Sequence, residues 1–252
     1  MDLGLSGKTA AVTGGARGIG RTICLALAEE GTNVGILDFL IEQAEETARM
    51  IREKNRKSVA VKVDVADYNS VRSALNKVVA ELGPVDVLVS CAAITDNMAT
   101  IDKMSMEAWN REIAVNLSGA FYCIKEVGPS MVDRKWGRII IISSRAGLDG
   151  GFGQCSYAAS KAGLCGLAKT AALEYARAGV TCNIVFPSLA NTPAVQKIPD
   201  DIKQRILRRI PTRRLQDPEE VAHTVAFLAS DQARSINGAE IMVTGGFELF
   251  TF

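Results

Sequence analysis

The sequence is poor in the residues that build metal centres, disulfide frameworks and membrane spans. It holds one histidine in 252 residues, and a lone His223 cannot assemble a histidine-based metal site. The same scarcity makes Ser-His-Asp hydrolysis a poor reading. Six cysteines are far below the density of a disulfide scaffold, and no CxxC pair occurs. Cys24, Cys123, Cys165 and Cys182 sit inside apolar stretches and read as small buried hydrophobes of a reducing compartment. No apolar run reaches spanning length and the N-terminus lacks a signal-peptide core, so a cytoplasmic protein with no membrane partner is expected. Charge of one sign is missing too: 29 basic against 28 acidic residues leave +1. Such a balance has no global field for a polyanion, so no nucleic-acid partner is expected. What is present is apolar: 48% hydrophobic residues at a mean hydropathy of +0.12 exclude intrinsic disorder and supply a sizeable core.

Strand-length apolar runs alternate with longer amphipathic segments. The runs are 9–13, 34–37, 59–63, 85–89, 139–142, 181–186 and 241–243. Helical stretches fall at 18–30, 41–54, 68–82, 106–134, 157–178 and 219–229, with a short one near 200–209. Gly31 and Pro218 give plausible stop and start signals. Ile139 to Ile142 is wholly apolar, as a strand buried on both faces would be. The alternation implies an α/β fold: a doubly wound, Rossmann-like parallel sheet of about seven strands with helices on both faces. No linker or repeat is visible, so residues 1–252 read as one dinucleotide-binding and catalytic domain. Residues 188–214 lack a strand, carry Pro193, Pro199 and Pro211, and read as an inserted lid over the sheet's edge.

Four glycines crowd the turn after the first strand, in Thr13-Gly14-Gly15-Ala16-Arg17-Gly18-Ile19-Gly20. Glycine permits positive φ and close approach of a ligand, and the amides opening the next helix suit a pyrophosphate. The spacing is a variant of the common GxGxxG fingerprint. The strand before it, the helix after it and an acidic residue ending the second run support the same reading. That residue, Asp38, lies 18 positions past Gly20, where a carboxylate accepts the adenosine-ribose hydroxyls. It would repel a 2′-phosphate, which argues for NAD over NADP, while Arg17 could pair with such a phosphate. Asp38 would otherwise be a solvated helix cap. Asp64, ending the third run, serves either the adenine amino group or an ordinary turn.

Tyr157 and Lys161 stand four apart in Tyr157-Ala158-Ala159-Ser160-Lys161, on one face of a helix. A free phenol ionises near pH 10, and an adjacent ammonium is expected to lower that value toward working pH. Hydride arrival at a carbonyl leaves an alkoxide that needs a proton, which such a pair supplies.

With these residues in hand, the chain resembles the short-chain dehydrogenase/reductase family from end to end. The glycine loop resembles its TGxxxGxG. Asn116 in Val115-Asn116-Leu117 is similar to its helix asparagine. Ser144 precedes Tyr157 by thirteen, like the family serine, and Tyr157 and Lys161 match YxxxK. The resemblance implies that Tyr157 is the general acid/base and that Ser144 hydrogen-bonds the substrate oxygen. Lys161 would bind the nicotinamide ribose and tune Tyr157, and Asn116 would hold a water that relays protons to Lys161. Cofactor contacts implied alongside Gly14, Arg17, Gly18, Gly20, Asp38, Asp64, Tyr157 and Lys161 are Ile19, Val65, Cys91, Ala92, Pro187 and Thr192. The chain departs from the family pattern at Ser90-Cys91-Ala92-Ala93, where Asn-Asn-Ala-Gly is usual, and at Pro187-Ser188, where Pro-Gly is usual. None of these changes removes a catalytic atom. Cys91 loses a bracing amide, Ala93 adds a methyl near the cofactor, and Ser188 narrows the nicotinamide pocket.

Three segments should line the substrate pocket: 95–98, 145–154 and 188–214. The second, rich in glycine, reads as a flexible rim with Leu148 and Phe152 as apolar contacts. The third carries Lys197, Lys203, Arg205, Arg208, Arg209, Arg213 and Arg214, which suit either an anionic carrier or the wet face of a helix whose Ile202, Ile206 and Ile210 point inward. The expected function is NAD-dependent interconversion of a secondary alcohol and a ketone. The alternatives are a 3-oxoacyl thioester reductase (coenzyme A or acyl-carrier) and, from another class, a non-catalytic NAD-binding subunit. The small-residue helix at 157–178 and the resemblance together imply a homotetramer.

Overall fold

A computed structural model describes residues 2–95, 97–196 and 198–249. Seven strands form one sheet: β1 (Thr9–Thr13), β2 (Asn33–Asp38), β3 (Ser58–Lys62), β4 (Val87–Ser90), β5 (Gly137–Ile142), β6 (Val180–Pro187) and β7 (Glu240–Val243). Their order is β3-β2-β1-β4-β5-β6-β7, and every neighbouring pair is parallel. The order reverses between β1 and β4, where Thr13 lies opposite Leu37 on one side and Ser90 on the other. Sheets of this kind open a crevice at the carboxyl ends of the strands flanking that switch point.

Side chains alternate across the sheet, so each strand feeds two cores. Ile139 and Ile141 pack with α3 (Tyr68–Leu82), α5 (Gly119–Asp133) and α7 (Cys155–Tyr175). Ile140 and Ile142 pack with α1 (Gly18–Glu29), α2 (Ile41–Arg52) and α10 (Pro218–Ala229). Helix starts are fixed locally. Asp67 accepts the Asn69 amide before α3, Ser105 accepts the Ala108 amide before α4 (Met106–Ile113), and Asp217 with Glu220 forms a capping box at α10, whose first residue is Pro218.

Three features differ from the sequence reading. The stretch expected as one helix over 106–134 is interrupted at Ala114–Ser118 by a π-helical turn, which holds Asn116. Strand β5 begins at Gly137 and so includes Arg138, a charged residue outside the expected apolar run. Its buried guanidinium is satisfied by the carbonyls of Gly137, Gly179 and Ser230 and pairs with Asp231 at 3.3 Å. The rim at 145–154, expected to be flexible, contains a short helix, α6 (Ala146–Asp149), ended by Gly150 at φ +75°.

The 188–214 segment carries α8 (Pro193–Gln196) and α9 (Asp200–Leu207). It is tied to the body where Asn191 donates to the Gln216 carbonyl and Gln216 to that of Leu189. Lys197, and Asp96 within the 95–98 segment, lie outside the described residues. No described helix is long and apolar enough to cross a membrane, and no metal-ligating cluster occurs among the described residues.

Candidate active site

A cleft of about 500 Å³ opens at the switch point. Its floor is the glycine turn between β1 and α1. Gly14 has φ +71°, and a Cβ there would come within 2.8 Å of the Ala92 Cα at the end of β4. A Cβ on Gly20 would meet the Gly14 carbonyl oxygen at 2.0 Å. The loop can fold this tightly only without side chains, and it presents the amino end of α1 to the cleft. Thr13, the residue before it, braces the opposite wall, where its hydroxyl accepts the amides of Cys91 (3.0 Å) and Ala92 (3.2 Å). A cradle of backbone amides with a carboxylate at its far edge suits a dinucleotide.

That carboxylate is Asp38. One oxygen accepts the Ala16 amide at 3.0 Å and the other the Leu40 amide at 2.9 Å, so the side chain clamps the glycine loop to the start of α2. It serves as a local backbone anchor and faces the cleft at the same time. Asp64 also faces the cleft. It accepts the Ala66 amide and pairs with Arg111 of α4 at 3.2 Å. Arg17, Gly18, Ile19, Val65, Pro187 and Thr192 complete the wall. Every residue expected to touch the cofactor therefore borders this one cavity.

Ser144, Tyr157 and Lys161 meet at the other end of the same cleft. Tyr157 and Lys161 lie in the first two turns of α7, and Ser144 follows β5. A Cβ on Gly147 would stand 2.6 Å from the Lys161 carbonyl carbon, so the bare glycine lets α6 press on α7 beside the pair. Asn116 does not line the cleft. Its amide group bonds both backbone groups of Ile94 (2.8 and 3.0 Å) and donates to the Ser160 hydroxyl at 3.2 Å, one residue before Lys161.

The electrostatics differ from the sequence expectation. Burial raises the Tyr157 phenol above its ordinary value, with Cys91 and Glu112 adding to the rise and the Ser144 hydroxyl opposing it. The Lys161 ammonium donates to the Ile142 carbonyl at 2.8 Å and lies 5.7 Å from the centre of the Tyr157 ring. Lys161 is itself pushed down to about 8 by burial. Cys91 is pushed up to about 11 by burial and is thus a thiol, not a nucleophilic thiolate, at neutral pH.

Sequence reasoning passed over Arg111, Phe39 and Leu40, which border the cleft beside Asp64 and Asp38. Phe39 and Leu40 carried a signal in directly following Asp38; Arg111 had none. The cations of the 188–214 segment are mostly paired in place. Lys203 pairs with Asp200, Arg205 with Asp201 and Arg214 with Glu220, while Arg209 lies over the Phe247 ring at 5.4 Å. Of the three isoleucines expected to point inward, only Ile210, past the end of α9, is buried; Ile206 is half-buried and Ile202 is exposed.

The comparisons agree with this architecture. The family model described as enoyl-(acyl carrier protein) reductase matches residues 14–248. The chain is 42% identical to the 3-oxoacyl-[acyl-carrier-protein] reductase FabG of Staphylococcus epidermidis over 241 residues, 95% of this chain and 98% of that one. It is 41% identical to the (3R)-3-hydroxyacyl-CoA dehydrogenase of Rattus norvegicus, covering 97% of each. Among solved structures, levodione reductase superposes with a TM-score of 0.93 at 25% identity, over 97% of this chain and 99% of that one. Together with the fold, these matches identify the chain as an oxidoreductase acting on CH–OH groups with a nicotinamide cofactor, and it belongs to the short-chain dehydrogenase/reductase family.

Proposed function

We propose that the protein interconverts a secondary alcohol and a ketone with NAD, Tyr157 serving as general acid/base. The observation that carries this reading is that Ser144, Tyr157 and Lys161 face the same cleft as the glycine cradle and Asp38. A bound nicotinamide dinucleotide supplies the hydride donor or acceptor. In the reducing direction Ser144 and Tyr157 hold the carbonyl oxygen, and the Tyr157 hydroxyl gives it a proton. A phenol held above its ordinary value stays protonated at neutral pH and is ready to act as the acid. Lys161 orients the nicotinamide ribose, and Asn116 secures α7 through Ser160. At the adenine end Asp38 meets the ribose hydroxyls and repels a 2′-phosphate, which favours NAD.

The second reading, a 3-oxoacyl thioester reductase, draws support from the names of two relatives. The exposed small face of α7 (Ala159, Ala162, Gly166) with Leu173 supports a homotetramer, to be tested by sedimentation. Buried free cysteines at 24, 123 and 182 fit a reducing cytoplasm. The test is a panel of acetoacetyl-CoA and simple cyclic ketones, each with NADH and with NADPH. NADH-linked turnover of at least one ketone is expected. Indifference to every thioester removes the second reading, and a clear NADPH preference overturns the assignment to Asp38. A chain that binds NADH but turns over nothing reverts to the non-catalytic subunit.

A further inference from the structure

Helix α7 is joined to α4 and to the π-helical turn that follows it by two side-chain bridges, spaced four residues apart along both stretches. The lower bridge is Asn116 to Ser160, described above. In the upper one the Ser156 hydroxyl donates to a carboxylate oxygen of Glu112. Tyr157 follows the upper serine and Lys161 the lower, so each proposed catalytic side chain leaves α7 next to a bridged position. The lower bridge belongs to the family asparagine. The upper one uses Glu112 and Ser156, two residues without a role so far.

Glu112 is an expensive residue to place here. Both it and Ser156 are 0% exposed. Its second carboxylate oxygen is buried with no hydrogen-bond partner among the described residues. A carboxyl group in such a setting costs stability that a leucine would not. Helix packing alone gives no reason for it. Glu112 reaches the first turn of α7, residues 155–157, where the helix amides carry partial positive charge. After burial and Cys91, it is also felt at the Tyr157 phenol. The Ser156 hydroxyl has a single proton. The nearby Met104 sulfur, 3.9 Å away, is a weak acceptor, so the hydroxyl directs its hydrogen bond to Glu112.

We infer that Glu112 is a positioning residue for the reaction: through Ser156 it fixes the opening turn of α7 and thereby the Tyr157 hydroxyl. This rests on the proposed role of Tyr157. The test uses the full chain with Glu112→Leu, Glu112→Gln, Ser156→Ala, the Leu/Ala double variant and Tyr157→Phe as control. Turnover is read with NADH and the panel ketone that the wild type reduces fastest, NADH affinity by fluorescence, and the Tyr157 environment by the ¹³Cζ resonance of labelled tyrosine in the free chain, assigned by its loss in Tyr157→Phe. Glu112→Leu and Ser156→Ala should each lower kcat about tenfold and shift the resonance alike, with NADH affinity kept. The double variant should be no worse than either single one, since both break one contact. Glu112→Gln, whose amide oxygen still accepts from Ser156, should restore most of kcat. If Glu112→Leu fails to fold, Ser156→Ala and Glu112→Gln carry the test, and the resonance needs no substrate. An unmoved resonance in Ser156→Ala, or losses that multiply in the double variant, overturns the inference. Tyr157→Phe retaining turnover overturns instead the reading of Tyr157 itself.

Discussion

Lys161 is the side chain whose burial has the plainest thermodynamic consequence. Its folded value of about 8 lies below the ordinary 10.5, so between these values the unfolded chain holds more protons and stability rises with pH. Below about 8 the penalty is fully present, on the order of 3 kcal/mol, less what the bond to the Ile142 carbonyl returns. Lys161→Met should therefore abolish turnover yet unfold at a higher denaturant midpoint than the wild type at pH 7, with the gap narrowing as pH rises from 8 to 10.5. A gap that stays flat over that range contradicts the assigned burial. Asp38 gives a second prediction at this scale. Asp38→Ser should lower kcat/KM for NADH by about ten- to a hundredfold and raise that for NADPH, since the ribose acceptor goes and the like charge goes with it. The place of Asp38 at the cleft could be read from its distance to Gly20, because a strand end and the glycine turn beside it are close in sequence. Arg111 and Glu112 could not. Their partners, Asp64 and Ser156, lie 47 and 44 positions away, and a charged helix residue looks solvated until the facing helix is known.

The elements themselves were largely legible, because buried parallel strands are apolar throughout and helices are amphipathic. Helix α3 lies at the 68–82 stretch where its apolar period put it. Strand β5 was missed at its start because Arg138 is polar by type but satisfied by backbone carbonyls. The π-helical turn left no sequence signature, since it comes from the packing that turns Asn116 toward Ile94 and Ser160. Helix α6 was hidden by its glycines, one of which is a packing device. Gly147→Val should push α6 off α7 at Lys161, costing about 1–3 kcal/mol and lowering kcat more than NADH affinity. Thermal unfolding read alongside steady-state rates checks it, and a variant with wild-type kcat would mean that α6 does not help to set the pair.

At the scale of the whole molecule, the sheet order brings a cradle near residue 14 and a reactive pair near residue 157 to one cleft. Ligand binding should therefore stabilise the entire fold. NADH at a hundred times its Kd adds about 2.7 kcal/mol, a rise of roughly 5–10 °C in Tm for a chain of this size. Asp38→Ser should lose most of that rise and gain one with NADPH. The alternation of runs and helices was enough to anticipate this architecture, because right-handed crossovers leave few alternatives. The substrate was not, because its pocket is built from surface loops and side chains whose sequence obeys no period. The central claim is that one phenol does the proton chemistry beside a bound dinucleotide. The most direct measurement is single-turnover reduction, by Tyr157→Phe, of whichever panel ketone the wild type turns over fastest, with NADH binding titrated on the same sample. A rate lowered by about 10² to 10⁴ with affinity within twofold of wild type is the result expected. Undiminished turnover, or affinity lost together with the rate, would contradict it.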